Sequence, residues 1–343
     1  MVNPRRAAVE NMKRLTCLVI GLFVAVGCNG SNPSSGVGAS NPTGSLQHDG
    51  PIQVVATVGM VADIVREVGG NHVDVSQICG SGVDPHLYKA TRDDVAALSS
   101  ADMVFYSGLM LEGKMTDTLI KMARSRPVVA VTESIDESLL LEPEDFQGHY
   151  DPHVWMDVSA WSKCVNAVST ALSEFDAEHA AAFQANARSY TERLAALHDY
   201  GIKVVGSIPE NSRVLVTSHD AFNYLGRAYG LDVQGVQGIS TESEAGLQRV
   251  GALVDMLAER SVKAVFIESS VPRKSIDSLI EGARAKGHDV VVGGELFSDA
   301  MGSDGTYEGT YIGMLDHNIT TITRALGGRA PERGLNGKLS IDK

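Results

Sequence analysis

The chain has 343 residues, of which 43% are hydrophobic and 21% are charged, and its formal net charge is −13. A chain of this length and composition can form two globular domains of ordinary size or one large domain. Its acidic balance repels nucleic acid and concentrates cations at the surface, so we expect no nucleic acid among its partners.

The first 27 residues are predicted to be an export signal. Met12 begins a short basic stretch, an apolar run follows at residues 15–26, and Cys28 comes soon after it. This run is too short to span a bilayer comfortably but suits a signal peptide. Its end resembles a bacterial lipoprotein signal, so we expect Met12 to be the true start and Cys28 to be acylated. The alternative is an ordinary cleaved signal with an incidental Cys28.

Residues 28–50 are predicted to form the lipid anchor and a flexible tether. They are rich in Ser, Asn, Gly and Pro and contain few aliphatic side chains that could be buried. Beyond this segment the sequence has two cysteines, Cys79 and Cys164, and no CxxC pair, so we expect no thiolate zinc site. The spacing of these two cysteines leaves open whether they form a disulfide in an exported protein.

From residue 52 onwards, short apolar runs alternate with helical periodicity. Strands are predicted at residues 52–58, 73–78, 103–106 and 128–131, with helices around 64–68, at 93–101 and at 112–124. Strands that alternate with helices indicate βαβ units and a largely parallel sheet. Residues 51–158 are therefore predicted to form an N-terminal α/β lobe.

A second series of the same kind begins at residue 213. Strands are predicted at residues 213–218, 233–239, 264–268 and 290–292, and helices at 221–229, 247–257, 276–280 and 310–326. Residues 209–330 are thus predicted to form a C-terminal α/β lobe, followed by a tail at 331–343. No sequence repeat between the two series is evident.

A helical region, residues 159–208, separates the two series. One helix is predicted at 159–175 and a longer one at 179–205, which carries an apolar stripe at spacings of three and four. The predicted fold class is α/β: two similar lobes with mostly parallel sheets, joined by one long backbone helix. Ligands of such sheets bind at the carboxyl ends of the strands, which places the binding site in the cleft between the lobes. The alternative is that the long helix is an ordinary core helix.

The tripeptide Asp-Pro-His occurs twice, at residues 84–86 and 151–153. Proline fixes its own φ and restricts the residue before it, so each histidine follows a stiffened loop. Asp84 and Asp151 could each hold the neighbouring imidazole by a hydrogen bond, a common arrangement around metal ligands. His86 and His153 are therefore candidate metal ligands of the first lobe.

Two further candidates come from the second lobe. His219 directly follows the strand predicted at 213–218, and Asp299 follows the segment 290–297. With His86 and His153 they would place two donors from each lobe in the cleft. Three imidazole nitrogens and a carboxylate oxygen suit Zn²⁺ and are acceptable to Mn²⁺, whereas Ca²⁺ and Mg²⁺ prefer oxygen alone.

Four local motifs resemble the ligand loops of the TroA-like zinc/manganese-binding proteins of bacterial ABC importers. In chain order they are GVDPHLY at residues 82–88, DPHVWMD at 151–157, TSHDAF at 217–222 and LFSDAMG at 296–302. Residues 238–242 and 266–270 are also similar to the family. The resemblance extends from about residue 52 to residue 327, in the expected order.

The resemblance implies a monomeric, exported lipoprotein, tethered to the membrane at Cys28, in the periplasm or at the cell surface. Such a protein binds Zn²⁺ or Mn²⁺ as its cargo and delivers it to an ABC permease and its ATPase. The implied ligands are those already predicted, namely His86, His153, His219 and Asp299. Around them we expect Asp84, Asp151, Asp220 and Glu268 to support the ligands or line the cleft.

The choice of metal is less determined than the ligands. A histidine at position 219 is common among zinc binders of the family and among members that accept both metals. Dedicated zinc binders often carry a long stretch rich in His and acidic residues before the second ligand. Here the corresponding stretch, residues 142–150, is short, and His149 is its one histidine. A zinc/manganese protein, or one that also accepts iron, is therefore as well supported as a zinc specialist.

Two other functions remain open from the sequence. Three histidines can hold a catalytic zinc, so a mononuclear zinc-dependent hydrolase on an α/β scaffold is the first alternative. Against it, Asp299 would fill the open coordination position, and the sequence contains neither HExxH nor GxSxG. The second alternative is a metal-stabilised surface adhesin. The prediction is therefore a binding protein and not an enzyme.

Overall fold

The computed structural model describes residues 50–340, in which strands and helices alternate as predicted. The signal, Cys28 and most of the predicted tether lie outside the described residues. The strands are β1 Ile52–Val58, β2 Val73–Cys79, β3 Met103–Tyr106, β4 Val128–Ala130, β5 Val214–Thr217, β6 Asp232–Gly235, β7 Ala264–Glu268 and β8 Val291–Leu296. The α-helices are α1 Gly59–Gly69, α2 Arg92–Ser100, α3 Thr116–Met122, α4 Val158–Phe175, α5 Ala180–Val205, α6 Asn223–Tyr229, α7 Leu247–Glu259, α8 Lys274–Ala285 and α9 Tyr311–Ala325.

The first lobe is built on a four-stranded parallel sheet with the order β2-β1-β3-β4. Strand β1 is central and almost wholly buried, which explains why its sequence is a continuous apolar run and does not alternate. Helix α1 follows β1 directly and buries most of its residues against the sheet and the central helices. The chain order reverses direction between β1 and β3, which is where such sheets open a crevice for a ligand.

The second lobe contains two parallel sheets of two strands each. Strand β5 pairs with β6 and β7 pairs with β8, and β5 lies beside β7 without being paired with it in one sheet. The four strands are thus arranged as β6-β5-β7-β8, which corresponds to the order β2-β1-β3-β4 of the first lobe. The predicted similarity of the two lobes is therefore one of topology, and the crevice of the second lobe lies between β5 and β7.

Two strand ends differ from the prediction by four residues, and a glycine lies at or near each of them. Strand β6 ends at Gly235 instead of residue 239, and Gly235 lies so close to Asp220 that a Cβ atom would come within 2.6 Å of the Asp220 nitrogen. Strand β8 continues to Leu296, beyond the predicted end at 292. Its two glycines hid this continuation: at Gly294 the strand runs so close to α9 that a Cβ would lie 2.5 Å from Thr321.

The long helix α5 contacts both lobes. Near its start, Tyr190 donates a hydrogen bond to the buried Asp63 of α1 in the first lobe. Near its end, the hydroxyls of Tyr200 and Thr320 are hydrogen-bonded at 2.7 Å, which joins α5 to α9 in the second lobe. The main apolar core includes residues of both lobes and of α4 and α5. Helix α5 is thus a shared support for both lobes.

Replacing Tyr190 with Phe is expected to destabilise the protein by about 2 kcal/mol, because the buried Asp63 loses a hydrogen-bond donor. Burial already raises the pKa of Asp63 to about 6, and the Tyr190 hydroxyl opposes this shift. The matched control is Tyr200→Phe, which removes a hydrogen bond between neutral groups and should cost about 1 kcal/mol. Urea unfolding of the two variants at pH 7 measures the difference. Equal losses would show that the Asp63 carboxylate does not depend on its tyrosine.

Cys79 and Cys164 do not form a disulfide, because both are buried free thiols. Within residues 50–340, no helix has both the length and the apolar character that a membrane crossing requires. Residues 331–340 of the predicted tail pack against the second lobe: Leu339 is buried, and the Leu335 nitrogen donates to the Asp316 carboxylate of α9.

Candidate metal centre

The four predicted ligands lie at the carboxyl ends of strands from both lobes. His86 lies in the loop after β2 and His153 in the connection between β4 and α4. His219 follows β5 by two residues, and Asp299 follows β8 by three. Because parallel strands end at the same edge of a sheet, these four loops meet at the facing edges of the two lobes.

The donor atoms of these four side chains all lie within 4.8 Å of one another. The Nε2 atoms of His86 and His153 are 3.2 Å apart. The Asp299 carboxylate lies between the histidines: one oxygen is 3.3 Å from His153 Nε2 and the other is 3.2 Å from His219 Nε2. All four residues are buried, with at most 5% of any one exposed. The predicted set is thus brought together as one compact cluster of three nitrogens and a carboxylate.

Two of the predicted supporting carboxylates contact the histidine rings at Nδ1, while Nε2 of each ring belongs to the cluster. Asp151 lies 2.7 Å from Nδ1 of His153 and also accepts a hydrogen bond from its backbone nitrogen. Glu268 makes the same pair of contacts with His219. A carboxylate at Nδ1 fixes the orientation of the imidazole and directs Nε2 toward the centre of the cluster. Asp151 and Glu268 therefore lie where they can fix the orientation of the two rings.

The other two carboxylates of the prediction take different positions. Asp84 does not hold the ring of His86: one of its oxygens accepts from the His86 backbone nitrogen at 2.9 Å. Its other oxygen accepts from the hydroxyl of Thr241, in the second lobe. Asp220, next to His219 in sequence, lines a separate cavity of about 540 Å³ beside β6.

The charges of the cluster are strongly coupled. Burial lowers the pKa of His86 to about 3, so this ring is neutral at pH 7. Burial also opposes charge on His153, but Asp151 and Asp299 outweigh it and raise its pKa to about 9. The pKa of His219 is likewise raised, by Asp299 and Glu268 against burial. In return, His219 and His153 hold the pKa of Asp299 well below its usual range, although burial alone would raise it.

The buried polar atoms at the centre of the cluster fit a divalent cation. Within the described residues, His219 Nε2 and both Asp299 oxygens are fully buried, and their close polar neighbours are the other donor atoms of the cluster itself. Buried groups of this kind are rare and costly unless something satisfies them. Three imidazoles and one carboxylate, all directed at one point, are a donor set that suits Zn²⁺ and Mn²⁺.

Sequence reasoning missed three residues that support the cluster from α6 and beyond. Asn223 Nδ2 donates to Asp151, and the Tyr224 hydroxyl donates to the Asp151 backbone carbonyl. Trp155 Nε1 donates to the carbonyl of Ser298, the residue before Asp299. In the sequence, only their positions indicated a role. Asn223 and Tyr224 follow the ligand loop at 217–222, and Trp155 lies within the one at 151–157.

A cavity of about 240 Å³ adjoins the cluster on the side of His86. Its lining includes His86, Met110 and His149, together with Glu242 of the second lobe. Residues of both lobes line it, so it lies where the two lobes meet.

Comparison with known proteins agrees with this arrangement. Residues 54–325 match the family model described as ZnuA, zinc-uptake complex component A, periplasmic. The chain is 48% identical over 289 residues to the manganese-binding lipoprotein MntA of Bacillus subtilis, covering 84% of this chain and 94% of that protein. It is 46% identical over 278 residues to the zinc-binding protein TroA of Treponema pallidum, covering 81% of this chain and 90% of that protein. The solved structure of that periplasmic zinc-binding protein superposes with a TM-score of 0.79 and covers 81% of this chain and 99% of its own.

Two α/β lobes with a buried cluster of three histidines and an aspartate between them define a metal-binding protein of the kind that serves ABC importers. The chain belongs to the ZnuA family of periplasmic zinc-uptake components. Members of this family work with an ABC permease and its ATPase, and further relatives are named metal ABC transporter substrate-binding lipoproteins. The protein is accordingly a substrate-binding protein and not an enzyme, which leaves no support for the hydrolase or the adhesin.

Proposed function

We propose that this protein captures Zn²⁺ or Mn²⁺ with His86, His153, His219 and Asp299 and delivers it to an ABC permease. The observation that carries the proposal is the burial of four donor side chains within 4.8 Å of one another. Both metals remain candidates because the donor set suits either, and because relatives of similar identity are named for manganese and for zinc.

We further propose the arrangement of the whole chain. Residues 1–27 would be the signal peptide, with Met12 as the start, and Cys28 would carry the lipid that tethers a monomer outside the cytoplasm. The tether would run to residue 50, followed by the lobes at 51–158 and 209–330, the helical linker at 159–208 and the tail at 331–343. Three relatives named as lipoproteins support the anchor.

Titration calorimetry of the chain from residue 29 with Zn²⁺ and with Mn²⁺ tests the capture step. We expect one metal per chain, and a loss of at least about 100-fold in affinity in His86→Ala, because one of four ligands is removed. His198→Ala is the matched control, since His198 lies on α5 and contacts Tyr229 instead of the cluster. If neither metal binds, or if His86→Ala binds as the unsubstituted protein does, the proposal is wrong.

A further inference from the structure

His86 is held differently from the other two histidines. Asp151 and Glu268 each pair with Nδ1 of their histidine, but within residues 50–340 no carboxylate pairs with Nδ1 of His86. It is also the ligand that lines the 240 Å³ cavity. A ligand that has no carboxylate at Nδ1 to fix its ring, and that lines a cavity, can leave a bound metal most easily.

The position of His86 depends instead on a hydrogen-bonded link that crosses between the lobes. Its backbone nitrogen donates to one oxygen of Asp84 at 2.9 Å. The other oxygen of Asp84 accepts from the hydroxyl of Thr241 at 2.5 Å. Thr241 is buried and lies in the second lobe, in the loop between β6 and α7. Because the acceptor is a carboxylate, this hydrogen bond is of the stronger, charge-assisted kind.

Another wall of the cavity contains a turn held by buried hydrogen bonds. Leu109 and Met110 have φ values of 53° and 68°, a conformation that residues other than glycine rarely adopt. Glu112 holds this turn, because its buried carboxylate accepts from the backbone nitrogens of Ser107 and Gly108. Since a turn fixed in this way resists displacement, movement that opens the cavity should occur at its other wall, the loop that contains Thr241.

The same loop makes a second contact with the first lobe. Glu242 forms an ion pair with Lys114, with 2.9 Å between Oε1 and Nζ. Both side chains are substantially exposed, and exposed ion pairs contribute little to stability. This contact bridges the lobes beside the cavity but does not lead to a ligand. It therefore provides a control for the link through Thr241.

We propose that Thr241 is a positioning residue that governs metal release. While its hydroxyl is bonded to Asp84, the loop that carries His86 stays closed over the metal. When the loop between β6 and α7 moves away, Asp84 loses this hydrogen bond. His86 then moves toward the cavity, and this movement opens the coordination shell of the metal. A permease that displaced this loop on docking would thereby start release. The inference rests on the proposed function.

The test is stopped-flow release of Zn²⁺ into excess EDTA from the chain beginning at residue 29. Thr241→Val keeps the shape of the side chain but removes the donor, so we expect the dissociation rate constant to rise about tenfold. Thr241→Ser keeps the hydroxyl and should release within about twofold of the unsubstituted protein. Glu242→Gln breaks the exposed ion pair and should also change release by less than about twofold.

A double-variant cycle decides whether Thr241 acts through Asp84. In an Asp84→Ala background, Thr241→Val should have no further effect on release, and full additivity would overturn the proposal. Release by Thr241→Val at the unsubstituted rate would also overturn it, while leaving the proposed function intact. Failure of the unsubstituted protein to retain either Zn²⁺ or Mn²⁺ would instead refute the proposed function. If it retains only Mn²⁺, the same comparison is made with Mn²⁺. Should Thr241→Val not fold, Thr241→Ala allows the same comparison.

Discussion

Replacing Asp299 with Ala is expected to weaken binding of Zn²⁺ by about 100-fold or more. If the binding free energy of about 10–16 kcal/mol typical of four-ligand zinc sites is shared equally, each ligand supplies about 3 kcal/mol. Asp299 is the only oxygen donor of the cluster and lies between two of its histidines. Mn²⁺ prefers oxygen more strongly than Zn²⁺ does, so we expect the loss to be larger for Mn²⁺.

Competition with a chromophoric chelator measures both affinities. Asp304→Ala is the matched control: it removes a carboxylate from the same loop, but Asp304 is exposed and contacts Gln77 instead of the cluster. Its affinities should stay within about twofold of the unsubstituted protein. Equal losses in the two variants would mean that Asp299 acts only through the general negative charge of the region.

Metal binding is expected to release about two protons at pH 7. In the cluster without metal, nearby carboxylates raise the pKa of His153 to about 9 and hold that of His219 well above its ordinary value. Burial keeps His86 neutral. A metal needs all three imidazoles unprotonated, so two protons must leave and the third ring contributes none.

Metal binding is expected to weaken in acid because each metal that binds displaces about two protons. Protons compete with the metal for His153 and His219, so affinity falls as pH falls, by about 100-fold from pH 7 to pH 6. Calorimetry at pH 7 in buffers of different ionisation enthalpy gives the number of protons released. We expect fewer than two in Glu268→Gln, because that change removes one of the two carboxylate charges, Asp299 and Glu268, that raise the pKa of His219. Release of three protons, or of none, by the unsubstituted protein would contradict the charge states described above.

Much of the fold was predictable because its signals are local. The central strands are continuous apolar runs, and α5 carries a regular stripe of buried side chains, including Tyr190 and Leu194. The end of β8 was missed where Gly293 and Gly294 interrupt the apolar run, because close approach of another segment leaves no periodic pattern. The matching strand arrangement of the two lobes was not visible either, since strand order depends on contacts between distant segments.

By itself, the sequence determined the four candidate ligands and two of their supporting carboxylates. Stiff Asp-Pro-His turns and donors placed just after strands are local features, and parallel strands necessarily bring their ends together. Only the tertiary structure decided that Asp84 supports the backbone of His86 and not its ring, that Thr241 reaches it from the other lobe, and that a cavity opens beside this ligand. The physical reason is that Thr241 and Asp84 are 157 positions apart in the chain, so their contact exists only once the two lobes have packed.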